Sequence, residues 1–234
     1  MRALHAVRAV RAALRHGFYA VLDRNDEALA RTLVGPGGAR VLQVRIKPAP
    51  VDEIVRVARM ARRVCDDDGA QLIVNDRIDV ALAVGADGVH LGQTDVPLAD
   101  GCALVGTHLA IGVSTHDLAQ VGAAAALAPA YIAYGPIFTT TTKQDPDPVQ
   151  GLVALRAAVR AAGGIPVVAI GGITPATARA IYATRAASIC AIGAVNGAAD
   201  VAAAARALRR LSPWMENTDA YRVLRWHPAM LHDE

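Results

Sequence analysis

Short apolar runs rich in Val, Ile and Leu alternate along the chain with longer segments in which apolar residues recur every three or four positions. The short runs have the length and composition of β-strands, and the longer segments have the spacing of amphipathic helices. The predicted strands are residues 18–22, 41–44, 72–74, 88–91, 110–113, 131–134, 167–170 and 188–192. The predicted helices include residues 51–64, 118–127, 152–162, 175–183 and 199–211, and Thr174 is the expected cap of the fourth.

Eight parallel strands, each followed by a helix, can close into a barrel of about 250 residues. We therefore predict an α/β fold, a (β/α)8 TIM barrel that residues 1–211 form as a single domain. An open doubly wound sheet is disfavoured, because the first strand is followed by Asp23, Arg24 and Asn25 and not by the GxGxxG turn of that fold. The repeat stops at Ser212, so residues 212–234 are predicted to form a short C-terminal tail.

Composition narrows the classes of protein to consider. The chain has 234 residues, of which 53% are hydrophobic and 19% charged, as is typical of a folded domain. A net charge of +3 and few aromatic residues argue against a nucleic-acid partner. No apolar run reaches the ~20 residues of a membrane span. Three scattered cysteines suit a reducing compartment, so we expect a cytoplasmic protein.

The first 18 residues carry arginines and no acidic residue. In charge this segment resembles an organellar transit peptide, but such peptides are rich in serine, and the first serine of the chain is Ser114. Leu4, Val7 and Leu14 fall on one face at helical spacing. We therefore predict an amphipathic first helix.

The second strand ends in a row of polar side chains. Alternation places Gln43, Arg45 and Lys47 on one face and turns Val44 and Ile46 to the other. In a barrel, the loops after the strands build the active site at one end. Two cations and an amide are therefore expected to share part of that rim.

Two carboxylates follow the next two strands, Asp76 after the third and Asp95 after the fourth. Because these strand ends are neighbours in a barrel, both side chains can reach one point, where they suit Mg²⁺. Taken singly, Asp76 also fits a helix N-cap and Asp95 a turn residue. His90 and His116 lie close by without the spacing of a transition-metal site, so we expect them to be hydrogen-bonded structural histidines.

The loops after strands six, seven and eight have the composition of anion-binding loops. Residues 139–142 are four threonines and Lys143 follows, which together offer several hydrogen-bond donors and a positive charge. Gly171 and Gly172 follow strand seven and Gly193 follows strand eight, and these loops often hold a phosphate on backbone N–H groups. Anions are thus expected at two places, at the cationic cluster with its metal and at the Thr and Gly loops.

Several strings of residues closely resemble the thiamine phosphate synthase family, over about residues 18–211. They are Gln-Val-Arg-Ile-Lys at 43–47, Asn-Asp-Arg-Ile-Asp-Val-Ala-Leu at 75–82, Gly-Ala-Asp-Gly-Val-His-Leu-Gly-Gln at 85–93 with Asp95, Ile-Gly-Val-Ser-Thr at 111–115, Tyr-Gly-Pro-Ile-Phe at 134–138 with residues 140–143, and Ala-Ile-Gly-Gly-Ile-Thr-Pro at 169–175. The resemblance implies an enzyme that joins a hydroxymethylpyrimidine diphosphate to a (carboxy)thiazole phosphate, with Mg²⁺ and release of pyrophosphate.

The resemblance also implies a role for each matching residue. Asp76 and Asp95 would hold Mg²⁺, and the catalytic set would be Arg45, Ser114 and Lys143. The diphosphate would contact Arg45, Lys47, Asn75 and Lys143, the pyrimidine Gln43 and Ser114, and the thiazole phosphate Thr140, Thr141, Thr142, Gly172, Ile192 and Gly193. The implied mechanism is dissociative, which calls for a loop, residues 139–151, that closes and excludes water.

Three positions depart from the family pattern: Ile46 stands where Glu is usual, Gly193 where Ser is common, and Thr139 where Pro is usual. Two other functions stay open, a thiazole tautomerase-like isomerase and a non-catalytic protein that binds thiamine precursors. The tautomerase has no need of the diphosphate and metal groups, so their retention argues against it. The aromatic tail is expected to pack on the barrel itself or on a second subunit of a homo-oligomer.

Overall fold

Eight parallel strands close into a barrel in the order of the sequence, in a computed structural model that describes residues 2–106, 108–140 and 147–213, with side chains from residue 6 onward. The strands are β1 Gly17–Leu22, β2 Val41–Val44, β3 Gln71–Asn75, β4 Gly88–Leu91, β5 Ala110–Thr115, β6 Tyr131–Tyr134, β7 Val167–Ile170 and β8 Ser188–Cys190. β8 pairs with β1 in parallel and completes the ring. The barrel prediction is confirmed.

Helices follow the strands around the outside of the barrel. They are α1 Arg2–Leu14, α2 Glu27–Val34, α3 Val51–Asp68, α4 Ile78–Ala83, α5 Leu98–Val105, α6 Leu118–Ala126, α7 Gly151–Ala161, α8 Pro175–Tyr182, α9 Gly193–Asn196 and α10 Val201–Arg210. The amphipathic first helix is confirmed as α1, and Thr174 caps α8 as predicted. α10 begins later than predicted because Asp200 caps it, accepting a hydrogen bond from the N–H of Ala203 at 2.8 Å.

The strand prediction was too long at β8. It extended to residue 192, whereas β8 ends at Cys190 and the short helix α9 begins at Gly193. An apolar run alone cannot distinguish the end of a strand from a buried connection to a helix.

The buried side chains form two cores. The larger lies between the strands and the outer helices, and the smaller lies within the barrel. Val10 and Leu14 of α1 pack with the smaller core, and Arg11 donates hydrogen bonds to the carbonyl oxygens of Pro129 at 2.9 Å and Ala130 at 3.0 Å. Because the amino ends of parallel strands share one end of the barrel, α1 covers that end and leaves the carboxyl ends for the site.

Beyond the last helix, Ser212 is buried, and its side chain lies beside Gly17 at the start of β1. The predicted tail therefore starts at a residue packed against the barrel, and residues 214–234 lie outside the described residues. Within the described ranges, no helix is long and apolar enough to cross a membrane.

One arginine of α3 is less exposed than the others of this helix. Arg56, Arg59 and Arg63 are exposed, but Arg62 is half-buried, and its Nη1 lies 2.6 Å from Oδ2 of Asp87. The same carboxylate oxygen accepts a hydrogen bond from the N–H of Leu72 in β3 at 2.7 Å. Asp87 thus joins α3 to the sheet just before β4.

We expect Asp87→Ala to lower the free energy of unfolding by about 2–3 kcal/mol, because it leaves both a buried N–H and a half-buried guanidinium without their acceptor. Urea unfolding measures this loss. Asp66→Ala is the matched control, since Asp66 is an exposed partner of the same arginine and should contribute less than about 1 kcal/mol. Equal losses in the two variants would contradict the role given to Asp87.

Candidate active site

A cavity of about 620 Å³ opens at the carboxyl ends of the strands. Each of the eight strands contributes to its lining or ends beside it. The strand-end residues are Val21, Gln43, Asn75, His90, Ser114, Gly135, Ile170 and Cys190. Val21, Ile170, Cys190 and Ile192 are apolar lining residues, so the cavity combines an apolar floor with a polar rim.

The rim after β2 has the alternation that the sequence predicts. Gln43, Arg45 and Lys47 line the cavity, and Ile46 instead packs against the core outside the barrel. Gln43 is 5% exposed, so its amide is a buried polar group that needs partners. The three predicted polar residues are therefore brought together at one side of the cavity.

The two predicted metal ligands also meet at this rim. Lys47 Nζ lies 2.5 Å from Oδ2 of Asp76, and Oδ2 of Asp95 accepts a hydrogen bond from the N–H of Gly92 at 2.7 Å. Burial raises the pKa of Asp76, a hydrogen bond with Asp95 raises it further, and Lys47 opposes both effects. Two carboxyl groups thus share one side-chain cluster with a single adjacent ammonium group.

The alternative reading of Asp76 as a helix N-cap is wrong. α4 begins at Ile78, and Arg77 caps it without a side-chain hydrogen bond. Asp76 instead adopts a left-handed backbone conformation, with φ of 61°, and its N–H donates to the carbonyl oxygen of His90 at 2.8 Å. This strained turn directs the carboxylate to Lys47 and Asp95, and such strain is typical of functional sites.

Both histidines are hydrogen-bonded, as predicted. His90 is buried between Tyr131 and Ser114, with Nδ1 3.0 Å from the Tyr131 hydroxyl and Nε2 2.9 Å from Ser114 Oγ. Burial lowers the pKa of His90 to about 4; Asp95 opposes this shift, and the charges of Arg45 and Lys47 reinforce it. The imidazole is therefore neutral near pH 7.

His116 contacts both the start of the loop after β6, at Gly135, and the later part of that loop, at Asp147. Its Nδ1 lies 2.7 Å from the carbonyl oxygen of Gly135 and 3.5 Å from Oδ2 of Asp147. Because a carbonyl oxygen only accepts, Nδ1 must carry the proton. The closing loop expected at residues 139–151 is thus connected to the end of β5 at Asp147, but residues 141–146 lie outside the described residues and the closure stays a prediction.

The predicted anion-binding loops lie across the cavity from the acidic pair, because β6, β7 and β8 are opposite β2, β3 and β4 in the closed ring. The lining on this side includes Thr139, Thr140, Gly171, Gly172, Ile192 and Gly193. Thr141, Thr142 and Lys143 lie outside the described residues, so the structure does not test them.

Gly172 has a steric reason to be glycine. Its φ is +63°, and a Cβ at this position would lie 2.3 Å from the carbonyl oxygen of Thr139. The loops after β6 and β7 therefore approach each other at a distance that only glycine allows.

Sequence reasoning missed two residues of the barrel interior, Tyr19 and Tyr131. Their hydroxyl oxygens lie 2.7 Å apart, and Nε2 of Gln43 donates to the Tyr19 hydroxyl at 3.0 Å. A usable signal was available, since a tyrosine on the inward face of a barrel strand must find a partner for its hydroxyl. Which partner it finds depends on contacts across the barrel that no local pattern contains.

The geometry agrees with the comparison to known proteins. A family model described as thiamine monophosphate synthase matches residues 6–195. The chain belongs to this family. The thiamine-phosphate synthase of Methanoculleus marisnigri is 45% identical over 186 residues, 80% of this chain and 87% of that protein. That of Neisseria meningitidis serogroup B is 43% identical over 194 residues, 83% of this chain and 93% of that protein.

A solved structure gives the same assignment. Thiamine phosphate pyrophosphorylase from Pyrococcus furiosus superposes with a TM-score of 0.78 at 35% identity, covering 87% of this chain and 97% of that one. The resemblance seen in the sequence and the enzyme class it implies, a transferase of thiamine biosynthesis, are therefore confirmed. The roles of the individual site residues stay predictions.

We expect Gly172→Ala to destabilise this thiamine monophosphate synthase family member by about 1–3 kcal/mol more than Gly163→Ala. Gly163 has a φ of +60° but open space around it, so the control carries the same backbone strain without the collision. Thermal unfolding of both variants measures the difference. Equal stabilities would mean that the loop after β6 moves away from Gly172 at no cost.

Proposed function

We propose that this chain joins 4-amino-2-methyl-5-hydroxymethylpyrimidine diphosphate to a thiazole phosphate and releases pyrophosphate, with Mg²⁺ as cofactor. One observation carries the proposal: two carboxylates and two cations converge on one side of a cavity whose other side is built from glycine and threonine loops. The arrangement offers two separate anion sites with an apolar floor between them. This is the pattern expected for two phosphorylated substrates that react with each other.

The acidic pair fits a hard divalent cation. Asp76 and Asp95 supply carboxylate oxygens, the ligand type that Mg²⁺ prefers. Burial and the neighbouring Asp95 raise the pKa of Asp76, and a bound cation would oppose both effects. Over the described part of the chain, no group of three or more metal-ligating side chains exists, so water and substrate phosphate would complete the coordination. The bound ion would act as a Lewis acid on the departing diphosphate.

The cationic rim would bind the leaving diphosphate. Arg45, Lys47 and Asn75 line the same side of the cavity, and Lys143 is proposed to join them. Each charge-assisted hydrogen bond contributes about 1.5–3 kcal/mol. Such bonds strengthen as negative charge accumulates on the leaving group, so they favour the transition state over the bound substrate.

The proposed reaction is dissociative. The bond between the pyrimidine methylene carbon and the diphosphate oxygen breaks with its electron pair leaving on pyrophosphate, and the thiazole nitrogen then donates its lone pair to the carbon. Gln43 and Ser114 would hold the pyrimidine ring over the apolar floor while the aminopyrimidine carries the positive charge. Water must be excluded during this interval, which is the role proposed for residues 139–151.

The thiazole phosphate would bind across the cavity. Thr140, Gly172, Ile192 and Gly193 line that side, and Thr141 and Thr142 are proposed to extend it. With glycine at 193, the loop after β8 can offer only backbone N–H groups at that position. The positive φ of Gly172 suits close approach of the backbone to a phosphate.

The two alternatives have less support. A tautomerase would leave Arg45, Lys47, Asp76 and Asp95 without a task, yet the structure brings all four to the cavity. A non-catalytic binding protein would rest on the tail, most of which lies outside the described residues. Oligomeric state, the cytoplasmic location and the absence of a nucleic-acid partner stay predictions.

A coupled pyrophosphate assay with both substrates and Mg²⁺ tests the proposed reaction. Omission of Mg²⁺, Asp95→Ala and Lys143→Ala should each lower the rate by at least about 100-fold, because each removes stabilisation of the leaving group. Asp100→Ala is the matched control, since Asp100 is an exposed acid on α5 away from the cavity lining. Unchanged turnover in the first three cases would refute the proposal, and binding of both substrates without turnover would favour the binding protein.

Lower pH should weaken Mg²⁺ binding. Because the pKa of Asp76 is raised, a proton occupies this carboxyl at a higher pH than on an ordinary aspartate, and the proton competes with the metal. Calorimetric titration with Mg²⁺ alone measures the affinity at each pH. In Asp95→Asn the binding should be weaker overall, and its decline should begin at lower pH because the neighbouring charge is gone. An affinity independent of pH between about 7 and 4 would contradict the assignment.

A further inference from the structure

We propose that one hydrogen-bonded chain through the barrel, running from Gln43 through Tyr19, Tyr131 and His90 to Ser114, sets which hydrogen-bonding groups its two ends offer to the pyrimidine. The five side chains belong to β2, β1, β6, β4 and β5, and successive polar atoms lie 2.7–3.0 Å apart. Both end residues line the cavity. The identity of the ligand rests on the proposed function, whereas the direction of hydrogen-bond donation along these five side chains does not.

The barrel is built to let the middle of this chain form. Gly112 of β5 lies between His90 of β4 and Tyr131 of β6 in the strand register. A Cβ at Gly112 would lie 2.0 Å from the Tyr131 ring, so the missing side chain provides the space for that ring. The rings of His90 and Tyr131 stack there with centroids 5.6 Å apart and planes inclined by 18°.

The direction of donation along these hydrogen bonds follows from Gln43, the first of the five side chains. Nε2 of Gln43 can only donate, so the Tyr19 hydroxyl accepts from it and must give its own proton to Tyr131. The Tyr131 hydroxyl then donates to Nδ1 of His90. A neutral imidazole carries one proton, which must therefore lie on Nε2 and be donated to Ser114 Oγ.

This direction gives the protons of both tyrosine hydroxyls and of the His90 imidazole an acceptor. If Tyr131 donated to Tyr19 instead, the Tyr19 hydroxyl would accept twice, and its proton would have no acceptor among its hydrogen-bond partners in the described residues. The buried side-chain atoms without a partner in the described residues do not include any atom of these five residues. The chain is therefore ordered from Gln43 to Ser114.

The order determines what each end offers in the cavity. The Ser114 hydroxyl accepts from His90, so its own proton is available to the ligand, and Gln43 keeps Oε1 as an acceptor. A 4-aminopyrimidine matches this pair, because its ring nitrogens accept and its amino group donates. A 4-oxopyrimidine has an acceptor where the 4-aminopyrimidine has a donor, so it would leave the buried Oε1 of Gln43 without a hydrogen-bond donor. Tyr19, Tyr131 and His90 are thus positioning residues that determine specificity.

The first test is the protonation of His90 in the ligand-free protein, read from ¹⁵N chemical shifts of the imidazole. The expected result is a proton on Nε2 and none on Nδ1. A proton on Nδ1 would overturn the proposal, since the chain would then run in the opposite direction. This measurement on the unaltered protein uses no substrate, so failure of the proposed reaction with the expected shifts would refute only the proposed function.

The second test breaks the chain with Tyr131→Phe, which keeps the ring and removes the hydroxyl. We expect the neutral His90 imidazole to become a mixture of its Nδ1-protonated and Nε2-protonated tautomers. KM for the aminopyrimidine diphosphate should rise about 10- to 100-fold, and KM for the thiazole phosphate should stay unchanged. Preference over the 4-oxo analogue should fall by a similar factor. Tyr19→Phe should leave His90 unchanged, because Tyr131 still donates to it, but should raise the same KM by freeing the Gln43 amide.

Tyr182→Phe is the matched control. Tyr182 is also buried, and its hydroxyl donates to the carbonyl oxygen of Gly17 at the amino end of β1, away from the cavity. This variant should lose stability without changing the His90 shifts, either KM or the preference for the amine. Unchanged shifts and KM in Tyr131→Phe, or equal changes in Tyr182→Phe, would overturn the proposal.

Discussion

Closure of the parallel sheet is the constraint on which every other feature of this molecule depends. Because each strand runs in the same direction and β8 pairs with β1, all eight carboxyl ends lie on one rim. Residues far apart in sequence, such as Gln43 and Ile192, come to line one cavity. The helix α1 packs against the amino end of the barrel and closes it with apolar side chains, so the cavity opens at the carboxyl end, where the polar groups lie.

The same closure explains why polar side chains can lie deep in the barrel. Side chains from alternate strands meet in layers within a barrel, and a layer of polar residues is tolerated only if each member is paired. Here the absence of a side chain at Gly112 leaves space for the ring of Tyr131 to stack on His90, and the hydroxyl of Tyr19 forms a hydrogen bond with that of Tyr131. The barrel interior thus contains a set of paired polar side chains below the cavity.

Most of the fold and much of the site could be predicted from the sequence, since both depend on local patterns. Apolar runs identified all eight strands, and alternation placed Arg45 and Lys47 on the cavity and Ile46 on the outer core. The pairing of Arg62 with Asp87 and the contact between Tyr19 and Tyr131 could not be predicted, because each joins residues distant in sequence. Asp76 was ambiguous for another reason: an aspartate before a helix suits a cap or a site equally well, and only its backbone conformation decides.

The departures from the family pattern affect the two proposed anion sites differently. Ile46 replaces a usual glutamate, but its side chain packs outside the cavity, so Lys47 keeps Asp76 as its carboxylate partner and the proposed metal site loses no group that lines the cavity. Gly193 replaces a usual serine on the cavity lining itself, so a side-chain donor is missing there. The neighbouring loops already approach each other through Gly171 and Gly172, whose positive φ values bring backbone to the cavity. In the proposed function, the second phosphate would therefore bind through loop geometry more than through side chains, and its binding should be more sensitive to backbone strain than binding of the diphosphate.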